Sequence, residues 1–321
     1  MKPFAFVFPG QGSQSVGMLD AWDDHPVVRT TLAEASDALS EDVTKLIHEG
    51  PKEVLALTTN TQPVMLVAAV AAYRVWLSET GVAPIVVAGH SLGEYSALVA
   101  AGVLTLAQAT PLVRFRAQAM QDAVPVGVGA MAAILGMEAA KVIAGCAEVI
   151  LGFGPDSTEV VEAVNFNDPA QTVIAGSKAA VDKACEVLKA QGAKRALLLP
   201  VSAPFHSSLM KPAAEKLREK LASTVFLAPQ ITLINNVDVA VEVDPERIRD
   251  ALYRQAFRPV RWVECVQAIQ ARDLGVVVEC GPGKVLAGMV KRIAPALTGL
   301  ALLDPATLAD VKTVLLGTGN D

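Results

Sequence analysis

VVAGHSLGEYSALVAAG, residues 86–102, joins three pieces of local structure without a linker. Residues 85–88 are short, apolar and β-branched, which predicts a buried strand. Residues 94–101 carry small and apolar side chains suited to a helix, and Gly102 stands where that helix would stop. Between them Gly89-His90-Ser91-Leu92-Gly93 spells G-x-S-x-G. The pentapeptide alone is a weak signal, but strand, sharp turn and helix around it are what a nucleophile elbow requires. Ser91 is therefore the candidate nucleophile. Its hydroxyl would sit over a helix N-terminus, where free N–H groups and the helix dipole favour developing negative charge. The competing reading is an ordinary turn with an N-capping serine.

The same alternation extends outward. Residues 4–8 form an apolar run that stops at Pro9-Gly10, and residues 61–77 are an alanine-rich apolar helix closed by Gly81. Residues 231–234 and 275–279 are further β-branched runs, each followed by a turn and a helical pattern. Strands alternating with helices imply a mostly parallel sheet covered on both faces. The pattern changes in the middle of the chain. Strands at 130–135, 160–166, 171–175 and 195–199 and helices at 138–147 and 179–190 give the order β-α-β-β-α-β of a ferredoxin-like unit. A turn is expected at Asn167-Asp168-Pro169. The expected organisation is an α/β main domain, residues 1–128 and 201–321, interrupted by a ferredoxin-like small domain, residues 129–200. Residues 153–162 read as a local loop extension, and the tail after Asp304 carries no motif.

Composition narrows the function classes. The 321 residues are 52% hydrophobic, enough for a sizeable core, and the net charge of −6 argues against a globally basic nucleic-acid binder. Cys146, Cys185, Cys265 and Cys280 form no C-x-x-C pair, and no histidine lies at metal-ligand spacing from them. They are expected to be reduced, buried thiols, with no metal. The N-terminus lacks the apolar core of a signal peptide, and residues 63–73 are too few to span a bilayer. A cytoplasmic monomer without membrane attachment is the expectation.

If Ser91 is a nucleophile it needs a base, and the chain has four histidines. His90 shares the tight turn and should diverge from Ser91. His25 and His48 lie in polar, charged stretches. His206, in VSAPFHSSLM, follows a strand and two prolines that restrict its loop, and it is the first choice. An acid between Ser91 and His206 would complete the order found in hydrolases of this type. Asp122, Asp156, Asp168 and Asp182 are available, but none has a strand-end context. The base needs only an oriented acceptor on its other ring nitrogen, which a main-chain carbonyl could supply, so no acidic third member is expected.

Two glycine-rich loops resemble phosphate cradles and fail the test. FPGQGSQSVG, residues 8–17, has serine at the third glycine position, and GPGKVL, residues 281–286, has Val278 and Val285 where the Walker pattern needs Gly and Ser or Thr. The first loop still lies at a strand end beside the elbow, where a main-chain N–H or the Gln11 amide can donate to an oxyanion. In LVRFRAQAMQ, residues 112–121, Arg114 and Arg116 are two apart on an apolar helix and face different sides. One can be solvated while the other points inward. A buried arginine must be paired, and a substrate carboxylate could be its partner; the competing reading is an ordinary surface ion pair.

Taken together, FPGQGSQ, NTQP, GHSLGEYSAL, RFRAQAMQ, GAMAAILG, NFNDPAQTVIAG, PFHSSLMKPAAEKL, VRW and GPGKVL make the chain resemble the malonyl-CoA:acyl carrier protein transacylase family from residue 2 to about 292. The resemblance implies an α/β-hydrolase-like domain with a ferredoxin-like insertion. It implies a malonyl ester on Ser91, with His206 as base and then acid, oriented by the Gln255 main-chain carbonyl. It places an oxyanion hole at the Gln11 and Leu92 main-chain N–H groups and assigns the malonyl carboxylate to Arg116 rather than Arg114. Gln62, in NTQP, and Phe205 join the substrate-binding residues, and phenylalanine at this position accompanies malonyl rather than methylmalonyl preference in related polyketide enzymes. No resident cofactor is implied: a coenzyme A thioester is the donor and the phosphopantetheine thiol of acyl carrier protein the acceptor.

Two other readings stay open. A thioester hydrolase would share nucleophile, base and oxyanion hole and differ only in the fate of the acyl-enzyme. A non-catalytic scaffold would keep the fold without needing Ser91, His206 and Gln11 together. An acidic carrier would need a local basic patch on this acidic chain, for which Lys189, Lys194 and Arg195, or Lys284, Lys291 and Arg292, are candidates.

Overall fold

The computed structural model describes residues 1–22 and 24–317. Strand β1 (Phe4–Phe8) leads through helices α1 (Pro26–Leu39), α2 (Val43–Glu49), α3 (Lys52–Leu55) and α4 (Thr58–Thr80) to β2 (Val86–Gly89), α5 (Gly93–Ala100) and α6 (Leu106–Asp122). Next come β3 (Gly129–Leu135), α7 (Ala139–Phe153), β4 (Val161–Asp168), β5 (Gln171–Ser177), α8 (Lys178–Ala190) and β6 (Arg195–Leu198). The chain then runs through α9 (Lys211–Ala222), β7 (Thr232–Ile234), α10 (Pro245–Gln255), α11 (Trp262–Gln270), β8 (Val276–Cys280), α12 (Val285–Ile293), β9 (Thr298–Leu302) and α13 (Pro305–Leu316).

The main sheet has the order β7-β2-β1-β8-β9, with every pairing parallel. Both faces are covered, which is why β1 and β2 are apolar throughout rather than alternating. On one face Phe4, Phe6 and Phe8 meet Trp76 and Tyr73 of α4 edge to face, at ring separations of 5.6 to 6.1 Å for four of the pairs. On the other face Ala5 and Val7 pack with Trp262, Cys265 and Val266 of α11. The second sheet, β4-β5-β3-β6, is antiparallel, and its two β-α-β crossings give the ferredoxin-like arrangement. Ala132 and Ile134 bury against α7 and α8, while Met131 and Ala133, on the opposite face, join the main core. The edge strand β4 is tied to the main unit by Val260, whose N–H donates to the Val164 carbonyl at 2.8 Å and whose carbonyl accepts from the Phe166 N–H at 3.0 Å.

Some boundaries differ from the sequence reading. The helix expected at residues 61–77 starts at Thr58, because the Leu57 carbonyl accepts from the Thr61 N–H at 2.7 Å and closes a first turn ahead of Pro63. The helix expected at 138–147 continues to Phe153, so the loop there is only residues 154–160. Asp168 belongs to β4 rather than to a turn. Its carboxylate accepts from the Ala170 N–H at 2.9 Å, and the hairpin closes over Pro169 and Ala170. The tail without a motif holds α13, opened by a reciprocal cap between Asp304 and Thr307. All four thiols are buried and free, and no described helix is long and apolar enough to cross a membrane.

Candidate active site

The carboxyl ends of β1, β2 and β7 converge, as ligand sites on parallel sheets do. Ser91 is the second residue after β2 and has a φ of +53°, a left-handed conformation that a residue with a side chain rarely adopts. Two glycines make this turn sterically feasible. A Cβ at Gly93 would lie 2.0 Å from the Phe8 carbonyl oxygen, and one at Gly89 would lie 1.9 Å from the Gly93 carbonyl. The elbow therefore sits hard against the end of β1. Gly93→Ala is expected to lower stability by more than about 3 kcal/mol, because a methyl group there meets backbone that cannot move aside. A thermal unfolding midpoint within about 2 °C of the parent would refute the steric argument.

Two distant side chains hold the strained residue. Asn236, just past β7, accepts from the Ser91 N–H at 2.8 Å and donates from Nδ2 to the Gly89 carbonyl at 2.7 Å. Gln255, at the end of α10, donates from Nε2 to the Ser91 carbonyl at 2.9 Å. The serine hydroxyl lies 2.7 Å from His206 Nε2, and His206 Nδ1 lies 2.8 Å from the Gln255 main-chain carbonyl. A carbonyl only accepts, so Nδ1 carries the proton and the Nε2 lone pair faces Ser91. The His206 ring is buried. Burial, and then the Arg116 charge, push its pKa down to about 3, so it is a neutral acceptor at pH 7. Asp122, Asp156, Asp168 and Asp182 make no hydrogen bond to it; Asp168 pairs with Arg292 at 2.7 Å, and Asp182 with Lys178.

The other histidines lie elsewhere. His90 diverges from Ser91 as its place on the turn predicts: its Nε2 meets Asn167 Oδ1 at 2.8 Å, and its ring packs on Trp262. Burial lowers its pKa. His25 caps α1, and His48 contacts Asp20.

The two arginines on α6 separate as their spacing predicts. Arg114 makes a two-pronged pair with Glu41 at 2.6 and 2.7 Å on the surface. Arg116 turns inward and is 2% exposed, in contact with no carboxylate among the described residues. Its guanidinium donates to Gln62 Oε1 at 2.5 Å, to Gln255 Oε1 at 3.0 Å and to Ser91 Oγ at 3.3 Å. It also lies 5.5 Å from the Tyr95 ring centroid. A buried cation served only by neutral acceptors is a ready site for an incoming anion.

Gln11 stands beside Ser91 because Gly10 packs on the His90 main chain, where a Cβ would lie 2.8 Å from the carbonyl oxygen. Among the described residues, neither the Gln11 nor the Leu92 main-chain N–H donates a hydrogen bond. Both are therefore available as oxyanion donors. Gln62 is placed behind Arg116 rather than in the cavity. Its Nε2 donates to Thr58 Oγ1 at 3.1 Å, and that hydroxyl donates to Gln11 Oε1 at 2.6 Å, which ties the Gln11 loop to the arginine. The cavity, about 120 Å³, is lined by Gln11, His90, Ser91, Arg116, Phe205 and His206, with Met131, Asn165, Leu199 and Val201 from or beside the small sheet. Sequence reasoning did not single out Asn236, Glu94 or these small-domain walls. The signal for Glu94 was a lone charge at the head of an otherwise apolar helix; Asn236 has no local signal. Of the basic clusters, Lys189, Lys194 and Arg195 are exposed and lack acid partners among the described residues, whereas Arg292 is held by Asp168.

The acyl transferase domain family matches residues 5–298. The malonyl CoA-acyl carrier protein transacylase of Escherichia coli strain K12 is 52% identical over 96% of this chain and 98% of its own length. The acyl-carrier-protein S-malonyltransferase of Burkholderia pseudomallei superposes with a TM-score of 0.93 at 63% identity, over 96% of this chain and 99% of that one. A malonyl-transacylase solved in complex with a type II polyketide acyl carrier protein superposes equally well, with a TM-score of 0.93 at 49% identity, over 98% of this chain and 100% of that one.

Proposed function

This chain belongs to the acyl transferase domain family, and on that footing we propose that it carries a malonyl group from coenzyme A to the phosphopantetheine thiol of acyl carrier protein, through an ester on Ser91. The observation that carries the substrate assignment is Arg116. A buried guanidinium touching the nucleophile, with only neutral partners, suits a short acyl group that ends in a carboxylate.

The chemistry follows from the distances. Ser91 Oγ attacks the thioester carbonyl as its proton passes to His206 Nε2, 2.7 Å away. The carbonyl oxygen becomes an oxyanion facing the Gln11 and Leu92 N–H groups. Collapse breaks the carbon–sulfur bond, and the departing thiolate takes the proton from His206. The Gln255 carbonyl holds the imidazolium in place throughout. In the second half, the carrier thiol gives its proton to His206, its sulfur attacks the ester, and Ser91 recovers the proton as it leaves. Coenzyme A departs before the carrier arrives, which predicts ping-pong kinetics. The apolar walls at Met131, Leu199, Val201 and Phe205 favour a thiol over water as acceptor. The protein needs no resident cofactor for these steps, and four buried cysteines without a disulfide suit the cytoplasm.

Intact mass measured after mixing with malonyl-CoA tests the proposal. The expected result is a persistent gain of one malonyl group on the Ser91 peptide, discharged by acyl carrier protein. Release of coenzyme A with no adduct and no need for a carrier would make the protein a hydrolase instead.

A further inference from the structure

Glu94 is buried in the first turn of α5 and takes no part in the steps above. Its Oε2 accepts from the Asn236 N–H at 3.0 Å and from Gln255 Nε2 at 2.9 Å. The opposite end of the same Gln255 amide, Oε1, accepts from Arg116 at 3.0 Å. Only one orientation of that amide satisfies its neighbours. Turned over, it would aim N–H at the guanidinium N–H groups and oxygen at the Ser91 carbonyl and the Glu94 carboxylate. Arg116, for its part, has no carboxylate in contact among the described residues. The charged groups facing Glu94 are Arg116 from α6 and Asp238 from the turn after β7.

We infer that Glu94 is the counter-charge of Arg116, held one hydrogen-bonded amide away so that the guanidinium stays oriented and charged while its face remains open to the acyl carboxylate. A carboxylate in direct contact would occupy the position the substrate needs. An amide spacer passes on orientation and part of the electrostatic compensation without filling it. Burial pushes the Glu94 carboxyl up to about 7, against the pull of the Gln255 amide, the Asn236 N–H and the Arg116 charge, so its charge grows as pH rises through neutrality and the test belongs on the alkaline side. The inference rests on the proposed meeting of Arg116 with the malonyl carboxylate.

The test compares variants at pH 8, with free malonate as inhibitor and with malonyl-CoA and acetyl-CoA as donors. Glu94→Gln keeps the acceptor oxygen and removes the charge. Malonate is expected to inhibit it at about tenfold lower concentration than the parent, because an anion no longer shares the field of Arg116. A purely structural role would lower activity without tightening malonate. Unchanged or weaker inhibition overturns the inference.

The double variant Glu94→Gln with Gln255→Glu keeps the net charge, keeps the main-chain carbonyl that holds His206, and moves the carboxylate into contact with Arg116; it also removes the Nε2 donor to the Ser91 carbonyl, a loss common to both donors that their ratio cancels. Its malonyl-to-acetyl loading ratio is expected to fall about a hundredfold, and an unchanged ratio overturns the inference even if the single variant does not fold. Arg116→Ala run alongside separates the two claims. If it leaves the ratio intact, the carboxylate reading of Arg116 fails and the inference fails with it. If it collapses the ratio while the double variant does not, only the assignment of Glu94 fails.

Discussion

Ser91→Ala is expected to lower malonyl transfer by about 10⁴-fold or more, because in the proposed mechanism it removes the atom on which the acyl group rests between donor and acceptor. The effect should be confined to chemistry. Alanine keeps the Cβ that Ser91 already carries at φ +53°, and the clamp from Asn236 and Gln255 acts on its main chain, so the elbow is retained. Binding of malonyl-CoA, measured by calorimetry, should stay within about threefold of the parent, since Arg116 and the cavity walls are intact. Residual transfer above about 1% of the parent rate would mean that Ser91 is not the acyl carrier. His206→Ala should cost nearly as much, and the double variant little more than either single one, because nucleophile and base act as a unit across one 2.7 Å contact.

The pH dependence follows from the same contact. An ordinary histidine gains its proton near pH 6.5, which would disable it as a base below that value. His206 is held neutral down to about 3 by burial and by Arg116. The loading half-reaction is therefore expected to show no loss from His206 as pH falls through 6.5. The sign is opposite for stability. Between about pH 6.5 and about pH 3 the unfolded chain binds that proton and the folded chain does not, so this residue destabilises the fold progressively as pH falls through that window and no further below it.

The elbow was legible in the sequence because its logic is local. Gly89 and Gly93 bracket Ser91 within five residues, and the strand and helix on either side have their own periodicities. His206 could be reached by elimination, because only four histidines exist and three had poor contexts. The absent acid could be anticipated for the same reason. What holds Ser91 in place was not legible. Asn236 reaches Ser91 across 145 positions and Gln255 across 164, and nothing in the local composition marks either contact. Gln62 illustrates the limit from the other side. Resemblance pointed to the residue, but only packing places it behind Arg116, bridging through Thr58 to Gln11. Element ends were misjudged where a main-chain carbonyl closed a first helical turn, as at Leu57, or an aspartate at a strand end closed a hairpin, as at Asp168, because composition announces neither contact.

Arg116→Ala is expected to reduce malonyl loading by about 10³-fold while reducing acetyl loading only a few-fold. The asymmetry has a physical origin. In the parent, an acetyl group leaves the guanidinium facing a methyl group, buried and short of an acceptor, whereas malonyl supplies an anion to it. Alanine removes the penalty against acetyl and the reward for malonyl together. Some loss for acetyl is still expected, because Arg116 also donates to Ser91 Oγ at 3.3 Å and helps to stabilise the attacking oxygen. Arg116→Lys should recover only part of the difference. A lysine ammonium is a point charge that cannot serve Gln62, Gln255 and a carboxylate in one plane, nor lie over the Tyr95 ring as the guanidinium does. The measurement is the ratio of initial loading rates for the two donors, which cancels any change in the amount of folded protein. Equal loss for both would mean that Arg116 serves the nucleophile alone, and the selectivity for a charged acyl group would then have to come from the cavity walls.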